Sequence, residues 1–333
     1  MEDRVLLSFG GGGEEMQTLI ADIFYKHFNN EILAKNEDAA TLHVKSSIAF
    51  TTDSFVVTPL FFNGGDIGKI AIAGTVNDLV SVGAKPLFIS VGFIIEEGFL
   101  LSDLGKIVIS MSEELKKSDA KIVCGDTKVV PKGAADKIFI NTSGIGEIIC
   151  PNISSHNLEN GDVIIVTNEI GNHGACILAS REDLDIKVDL KSDCASLFHP
   201  INELFKEGIK PKAIRDATRG GLSAVLNEWA KASNVEIEIN EESILVKDEV
   251  KGICEMFGFE PYEFANEGTM VLAVKYEDAE KTVEILSKFY ETKNARVIGE
   301  VKDKYKSHVV LKTPWGTSRF LELPKGELLP RIC

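Results

Sequence analysis

Apolar residues along this chain recur with two alternating periods. A short apolar run, Val5 to Phe9, reads as a strand and leads through Gly10-Gly11-Gly12-Gly13 to Met16, Leu19, Ile20, Ile23, Phe24 and Phe28, whose spacing predicts a helix. Ile48 to Thr58 is β-branched and aromatic, so it reads as a strand, with Asp53 on the same face as Phe55 and Val57. The loop Phe62-Asn63-Gly64-Gly65-Asp66-Ile67-Gly68-Lys69 then opens a helix of small residues, Ile70 to Gly83, on which Asp78 shares a face with Gly74, Thr75 and Ser81. Lys121 to Cys124 predicts a strand that turns at Gly125-Asp126-Thr127-Lys128, and Lys137 to Ile148 predicts another.

Pro151 and the polar stretch to Gly161 read as a boundary. Beyond it come a strand at 162–167, a helix from Gly174 through Arg181, and the run Ile214-Arg215-Asp216-Ala217-Thr218-Arg219-Gly220-Gly221 ahead of a helix at 222–232. Strands follow at 235–239, 269–274, 297–301 and 309–312, with a helix at 278–289. From Arg319 to Cys333, Pro324, Gly326 and Pro330 break any period, so an extended tail is expected; its fifteen residues could reach roughly 50 Å at about 3.4 Å each.

Composition narrows the classes. The 333 residues suffice for two domains, and 44% hydrophobic with 26% charged residues is ordinary for a soluble fold. Thirty-six Lys and Arg against 51 Asp and Glu leave a formal charge of -15, which would repel nucleic acid or an anionic membrane surface. The most apolar stretch, Leu79 to Ile95, is broken by Lys85 and Pro86, and Met1-Glu2-Asp3-Arg4 lacks a basic leader, so a cytoplasmic protein is expected. The six cysteines form no CxxC pair and no zinc spacing. Five sit in apolar or mixed segments, whereas Cys333 is the last residue of the sequence.

Candidate chemistry comes from carboxylates. Asp53, Asp78 and Asp126, with Asp216 as a fourth, sit beside small or hydroxylated residues; each alone reads as a turn former or cap, but together they suit Mg²⁺ and phosphates. Lys69, Lys128, Arg215 and Arg219 lie in the same glycine-rich segments and could screen phosphate charge. The loop at 64–69 is not a Walker A motif, because three residues separate Gly64 from Gly68 and Ile70 follows the lysine. No HExxH or GxSxG occurs; His173, in a glycine-flanked turn, reads equally as a functional group and as a helix-start hydrogen bond. The residues by themselves support a two-domain α/β protein with a Mg-nucleotide site.

Several blocks carry a resemblance: Thr51-Thr52-Asp53, Gly64 to Lys69, Gly74-Thr75-Val76-Asn77-Asp78, Gly125-Asp126-Thr127-Lys128, Arg215 to Leu222, Asn266-Glu267-Gly268-Thr269 and Pro330-Arg331-Ile332-Cys333. In order and nearly end to end, they resemble the HypE family of hydrogenase maturation carbamoyl dehydratases, within the wider superfamily of aminoimidazole ribonucleotide synthetase. That resemblance implies a PurM-like (AIR synthetase-like) fold, α/β and α+β, with an N-terminal ATP-binding and dimerisation domain over 1–152, a C-terminal α+β domain over 153–318 and a flexible tail over 319–333. It further implies ATP-dependent dehydration of an S-carboxamide on Cys333 to a thiocyanate, the source of cyanide ligands for [NiFe]-hydrogenase. Asp53, Asp78, Asp126 and Asp216 would hold Mg²⁺; Lys69, Asn77, Gly125, Thr127 and Arg219 would seat ATP; Lys128 and Glu267 would face the carboxamide. The implied partners are a second copy of the chain, a HypF-type carbamoyltransferase and a HypC-HypD type iron-carrying scaffold. The family's usual His-Gly-Ser-Gly-Gly run is replaced here by Phe9-Gly10-Gly11-Gly12-Gly13. Alternatives are a selenophosphate synthetase-like phosphotransferase and a nucleotide-binding scaffold without turnover.

Overall fold

In the computed structural model, which describes residues 4–10, 14–35, 39–181, 184, 186–324 and 331–333, the chain builds two main sheets on either side of one central helix. The first part runs through α1 (Glu14–Leu19), a π-helical stretch (Ile20–Tyr25), α2 (Lys26–Phe28), β1 (Ile48–Phe55), the small pair β2 (Phe61–Phe62) and β3 (Gly65–Asp66), α3 (Ile67–Ser81), β4 (Ala84–Glu96), α4 (Leu101–Leu115), β5 (Lys121–Val130) and β6 (Ile138–Ile148). The second comprises β7 (Val163–Val166), α5 (Asn172–Ala179), α6 (Phe198–Lys206), β8 (Ala213–Asp216), α7 (Gly221–Ser233), β9 (Glu236–Asn240), α8 (Asp248–Phe257), β10 (Met270–Val274), α9 (Ala279–Leu286), β11 (Arg296–Lys302), β12 (His308–Lys312) and β13 (Ser318–Phe320).

The first sheet has the order β1-β6-β4-β5, antiparallel except for the parallel pair β4/β5. Its inner face packs on α3, which begins where the Asp66 side chain accepts from the Gly68 and Lys69 N–H groups at 2.7 and 3.0 Å. Helix α3 is buried on nearly every side because Ala71, Ala73 and Gly74 keep it slim, and it contacts α4, the first sheet, α6 and β8. Gly68 is required there: a Cβ would stand 2.5 Å from the Ile107 carbonyl of α4.

The second sheet has the order β13-β12-β9-β11-β7-β10-β8. Strands β7 and β10 are buried on both faces, hence their uninterrupted apolar runs. Ile164, Val166, Val271 and Ala273 face the Trp229 side of α7, whereas Val163, Ile165, Leu272 and Val274 join the core shared with the first sheet. Among the described residues, no helix is long and apolar enough to cross a membrane.

Several elements differ from the sequence expectation. Val5 to Phe9 is not a strand, since only an isolated bridge between Arg4 and Leu100 forms and Leu7–Gly10 coils as a 3-10 turn. Gly11 to Gly13 lie outside the described residues. Gly125 to Lys128 is not a turn; it continues β5 because Gly92 to Ile94 of β4 supply the pairing partners. Strand β4 and helix α4 were not anticipated, nor was the pairing of Ser318–Phe320 with β12, which takes Arg319 and Phe320 out of the expected tail.

Candidate active site

Three of the four proposed metal carboxylates converge. Asp53 lies on the inner face of β1 and accepts from the Ser54 N–H at 2.8 Å; Asp78, on the facing side of α3, accepts from the Thr51 hydroxyl at 2.7 Å; Asp216 ends β8, which α3 also touches. A glycine makes room for this meeting, since a Cβ on Gly74 would press on the Phe55 ring at 3.2 Å and approach the Asp53 carboxylate. Burial raises the pKa of all three, and the negative charge of Asp53 adds to the rise at Asp78. For Asp216, burial first and the charge of Asp78 second push the carboxyl up to about 7. Arg219 acts against the rise at Asp53, and Arg215, ion-paired with Glu228, against those at Asp78 and Asp216. Among the described residues, no three His, Cys, Asp or Glu side chains form a ready-made metal cage.

Glu267 joins this cluster from the loop before β10. Its side chain is 2% exposed and its Oε1 has no hydrogen-bond partner among the described residues. Burial, reinforced by the charges of Asp216 and Asp193, pushes the carboxyl well above the usual carboxylate range. The loop is held by Asp193, which the sequence reading missed: its carboxylate accepts from the Glu267 and Gly268 N–H groups, both at 3.1 Å, and from the Thr269 hydroxyl at 2.8 Å. Only glycine fits at 268, where a Cβ would fall 1.8 Å from the Asp193 carbonyl.

Cys333 reaches the same place. Residues 331–333 run beside 56–58: the Val56 N–H donates to the Cys333 carbonyl at 2.9 Å, and the Thr58 N–H to the Arg331 carbonyl at 3.1 Å. Arg331 donates from Nε to the Val56 carbonyl at 2.8 Å, pairs with Asp136 and lies over the Phe139 ring. Ile332 is buried, and its carbonyl accepts from His173 Nε2 at 2.6 Å. The Cys333 thiol is pushed up to about 12 by burial and then by the charge of Glu267, against the pull of Arg219.

The remaining candidates sit elsewhere or are otherwise engaged. Asn77 is buried, with Nδ2 donating to the Ala195 carbonyl at 3.0 Å and Oδ1 accepting from the Leu197 N–H at 2.8 Å, so it ties α3 to the second half of the chain. Lys69 donates to the Gly64 carbonyl at 2.8 Å. Gly125, Asp126 and Thr127 line a cavity of about 200 Å³ with Phe24, Phe93 and Ile122. They belong to β5, the opposite edge of the sheet from β1, three strand spacings or about 14 Å from Asp53. There Asp126 and Lys128 form an ion pair at 3.0 Å and are 61% and 64% exposed. Within one chain, then, Asp126 and Lys128 do not join the Asp53, Asp78, Asp216, Glu267 and Cys333 cluster.

Comparison with known proteins connects this arrangement to a family. Residues 36–148 match "AIR synthase related protein, N-terminal domain" and 159–312 match "AIR synthase related protein, C-terminal domain", the PurM-like pair the resemblance implied. The carbamoyl dehydratase HypE of Escherichia coli (strain K12) is 44% identical over 339 residues, covering 99% of this chain and 100% of that protein. A crystal structure of the hydrogenase maturation protein HypE in complex with ATP superposes with a TM-score of 0.95 at 40% identity, covering 98% of this chain and 99% of that one. A HypE chain in a HypE-HypF complex gives 0.80 at 47% identity over 92% and 99%. These relatives favour neither the phosphotransferase nor the scaffold alternative. A chain that is 44% identical to the Escherichia coli carbamoyl dehydratase HypE over 99% of its length, and whose fold matches a HypE structure at a TM-score of 0.95, belongs to the HypE family of carbamoyl dehydratases.

Proposed function

We propose that this chain dehydrates an S-carboxamide carried on Cys333 to a thiocyanate at the expense of ATP, supplying cyanide for [NiFe]-hydrogenase assembly. The observation that carries the reading is the docking of residues 331–333 along 56–58, which brings the Cys333 thiol within the electrostatic reach of Glu267, a buried carboxyl with an unpartnered oxygen. The names of the relatives, carbamoyl dehydratase HypE and a HypE in complex with ATP, support it.

Mg²⁺ and nucleotide phosphates suit the carboxylate cluster: Asp53, Asp78 and Asp216 are hard oxygen donors whose mutual repulsion a divalent cation would relieve. They would hold the metal, with Arg219 beside them for the phosphates. ATP supplies the phosphoryl group that makes the amide oxygen a leaving group. The chain's own residues then handle protons and geometry. Cys333 keeps the carboxamide attached through its sulfur, and the backbone bonds to Val56 and Thr58 orient it. Glu267, a stronger base when ionised because its pKa is raised, takes a proton from the amide nitrogen. In balance, the amide oxygen displaces ADP from the γ-phosphoryl group, one N–H proton goes to Glu267 and the other to the departing phosphate, the C–O bond breaks and a nitrile forms.

The docked thiol is a poor acceptor, since the thiolate is the nucleophile and a pKa near 12 keeps Cys333 protonated. Residues 331–333 would therefore leave the cleft to take the carbamoyl group from a HypF-type transferase; a relative solved as a HypE-HypF complex supports that partner. The cyano group would pass in turn to a HypC-HypD type scaffold, the sulfur staying on Cys333 and a two-electron reductant restoring its thiolate.

A homodimer completes the reading. The outer face of the first sheet carries Phe50 at 67%, Ile48 at 49% and Ile94 at 45% exposure, with Phe88 and Ile145 in register with Phe50. Burying that face against a second copy would cover them. It would also allow Asp126 and Lys128, with Gly125 and Thr127, to serve the partner's cluster.

The test is intact mass after incubation with ATP, Mg²⁺, carbamoyl phosphate and the transferase, beside a Cys333→Ala control. Loss of one water from carbamoylated Cys333, dependent on ATP, is expected. Carbamoylation without that loss would make the chain a carrier, and the absence of both mass changes would overturn the reading.

A further inference from the structure

His173 has no assigned part in the chemistry above, yet it is the side chain from the second half of the molecule that grips the docked segment. It is fully buried on the first turn of α5. The Ile332 carbonyl can only accept, so Nε2 carries the hydrogen of the 2.6 Å bond. Burial lowers the pKa of the ring and favours its neutral form, so Nδ1 is the acceptor and the Ser192 hydroxyl, at 2.8 Å, its donor. One tautomer is thereby selected. The edge of the ring faces Phe62 at 5.5 Å, which leaves it little room to turn.

Two short routes join this histidine to the Glu267 loop. In the first, the N–H groups of Gly171, just before α5, and Gly174, on its first turn, donate to Asn266 Oδ1 at 2.7 Å and to the Ala265 carbonyl at 2.9 Å. In the second, Ser192 precedes Asp193, whose carboxylate holds the backbone of Glu267 and Gly268. The Cys333 carbonyl is fixed from the opposite side by Val56.

We infer that His173 is a positioning residue for the dehydration: by holding the Ile332 carbonyl it sets the register of Cys333 against Glu267, in one rigid unit with the loop that carries that carboxyl. This rests on the proposed function. A docked segment without His173 would leave the buried Ile332 carbonyl unpaired, which lowers the docking equilibrium constant by about five- to a hundredfold.

The experiment measures alkylation of Cys333 by a maleimide at neutral pH, mapped by peptide mass, in the full chain and in His173→Leu, His173→Gln and Ser192→Ala variants. The rate of ATP-dependent water loss from carbamoylated Cys333 and the rate of carbamoyl acceptance are measured alongside. His173→Leu is expected to raise alkylation at least fivefold and to slow water loss by a similar factor, with the KM for ATP unchanged and carbamoyl acceptance not slowed. His173→Gln, which can present an N–H near the Nε2 position, should recover most of both effects, and Ser192→Ala should fall between. Unchanged alkylation in folded His173→Leu overturns the inference, as does a parallel loss of carbamoyl acceptance. Should His173→Leu fail to fold, a folded Ser192→Ala variant that alkylates as the unaltered chain does overturns it equally. Absence of water loss in the unaltered chain would sink the proposed function instead, while the alkylation series would still decide whether His173 holds the segment.

Discussion

Two groups of acidic residues in this molecule look alike in sequence and differ in physical state. Asp126 stands at an exposed sheet edge with Lys128 as its partner, an arrangement worth roughly 0–1 kcal/mol. Asp53, Asp78, Asp216 and Glu267 are largely removed from water, face one another and find mainly backbone or hydroxyl donors, while Glu267 Oε1 finds none among the described residues. A carboxylate that folding leaves short of positive charge stores a demand that a ligand can meet, whereas a carboxylate already paired does not. The contrast is set by burial and company rather than by residue type.

The sharpest way to break that contrast is Glu267→Gln. If the buried carboxyl is the base, the rate of ATP-dependent water loss from carbamoylated Cys333 falls about 10²- to 10⁴-fold, read by intact mass, while the melting temperature stays level or rises. A variant with an unaltered rate would remove Glu267 from the chemistry. Next comes Asp216→Asn. The folded protein binds the Asp216 proton more tightly than the unfolded chain does, so this group's stabilisation is complete below about pH 4 and is lost as pH rises through about 7. In the metal-free protein, thermal melts from pH 5 to 8 should therefore slope downward with pH, and the variant should flatten that slope by on the order of a few kcal/mol. An identical slope in both proteins would mean that Asp216 is not strained.

The Cys333 thiol has the same sign and a different window. Docking favours the protonated thiol, so that contribution is whole below about pH 8.5, the value of a free thiol, and fades as pH rises towards about 12. Tryptic cleavage after Arg331, corrected for the enzyme's own pH profile on a free peptide, should accelerate between pH 8 and 10; a flat corrected rate would contradict the docked geometry. The smallest effect belongs to the exposed pair. Asp126→Asn should change stability by less than about 0.5 kcal/mol in denaturant melts. A loss above about 2 kcal/mol would show that the two groups are less different than their surroundings suggest.

Much of this was legible in the sequence, and unevenly so. Asp53 and Asp78 could be placed on a strand and a helix because alternation and the small-residue helical period each assign a face. Glu267 entered only through resemblance, since a loop carboxylate has no period to reveal what it faces, and Asp216 was read from the composition of its segment without a face being assigned to it. Gly125-Asp126-Thr127-Lys128 has the composition of a turn and became strand because β4 offered partners over its length, an instance of pairing overriding local propensity. Strand β4 was obscured by Lys85 and Pro86 at its start, although Pro86 falls at a register shift where the ladder tolerates it.

By itself, the sequence determined the acidic charge, the succession of helices and strands, the glycines that permit close approach at Gly68 and Gly268, and the blocks that mark the family. Only the tertiary structure decided which acids meet. It brought Asp53, Asp78, Asp216, Glu267 and Cys333 to one cleft and left Asp126 and Lys128 on the far edge of the sheet. It also gave Asn77, Asp193 and His173 their partners, far away along the chain. The reason is physical: periodicity is local and reports the side of an element on which a residue lies, while desolvation and hydrogen bonding depend on what the rest of the chain brings to that side.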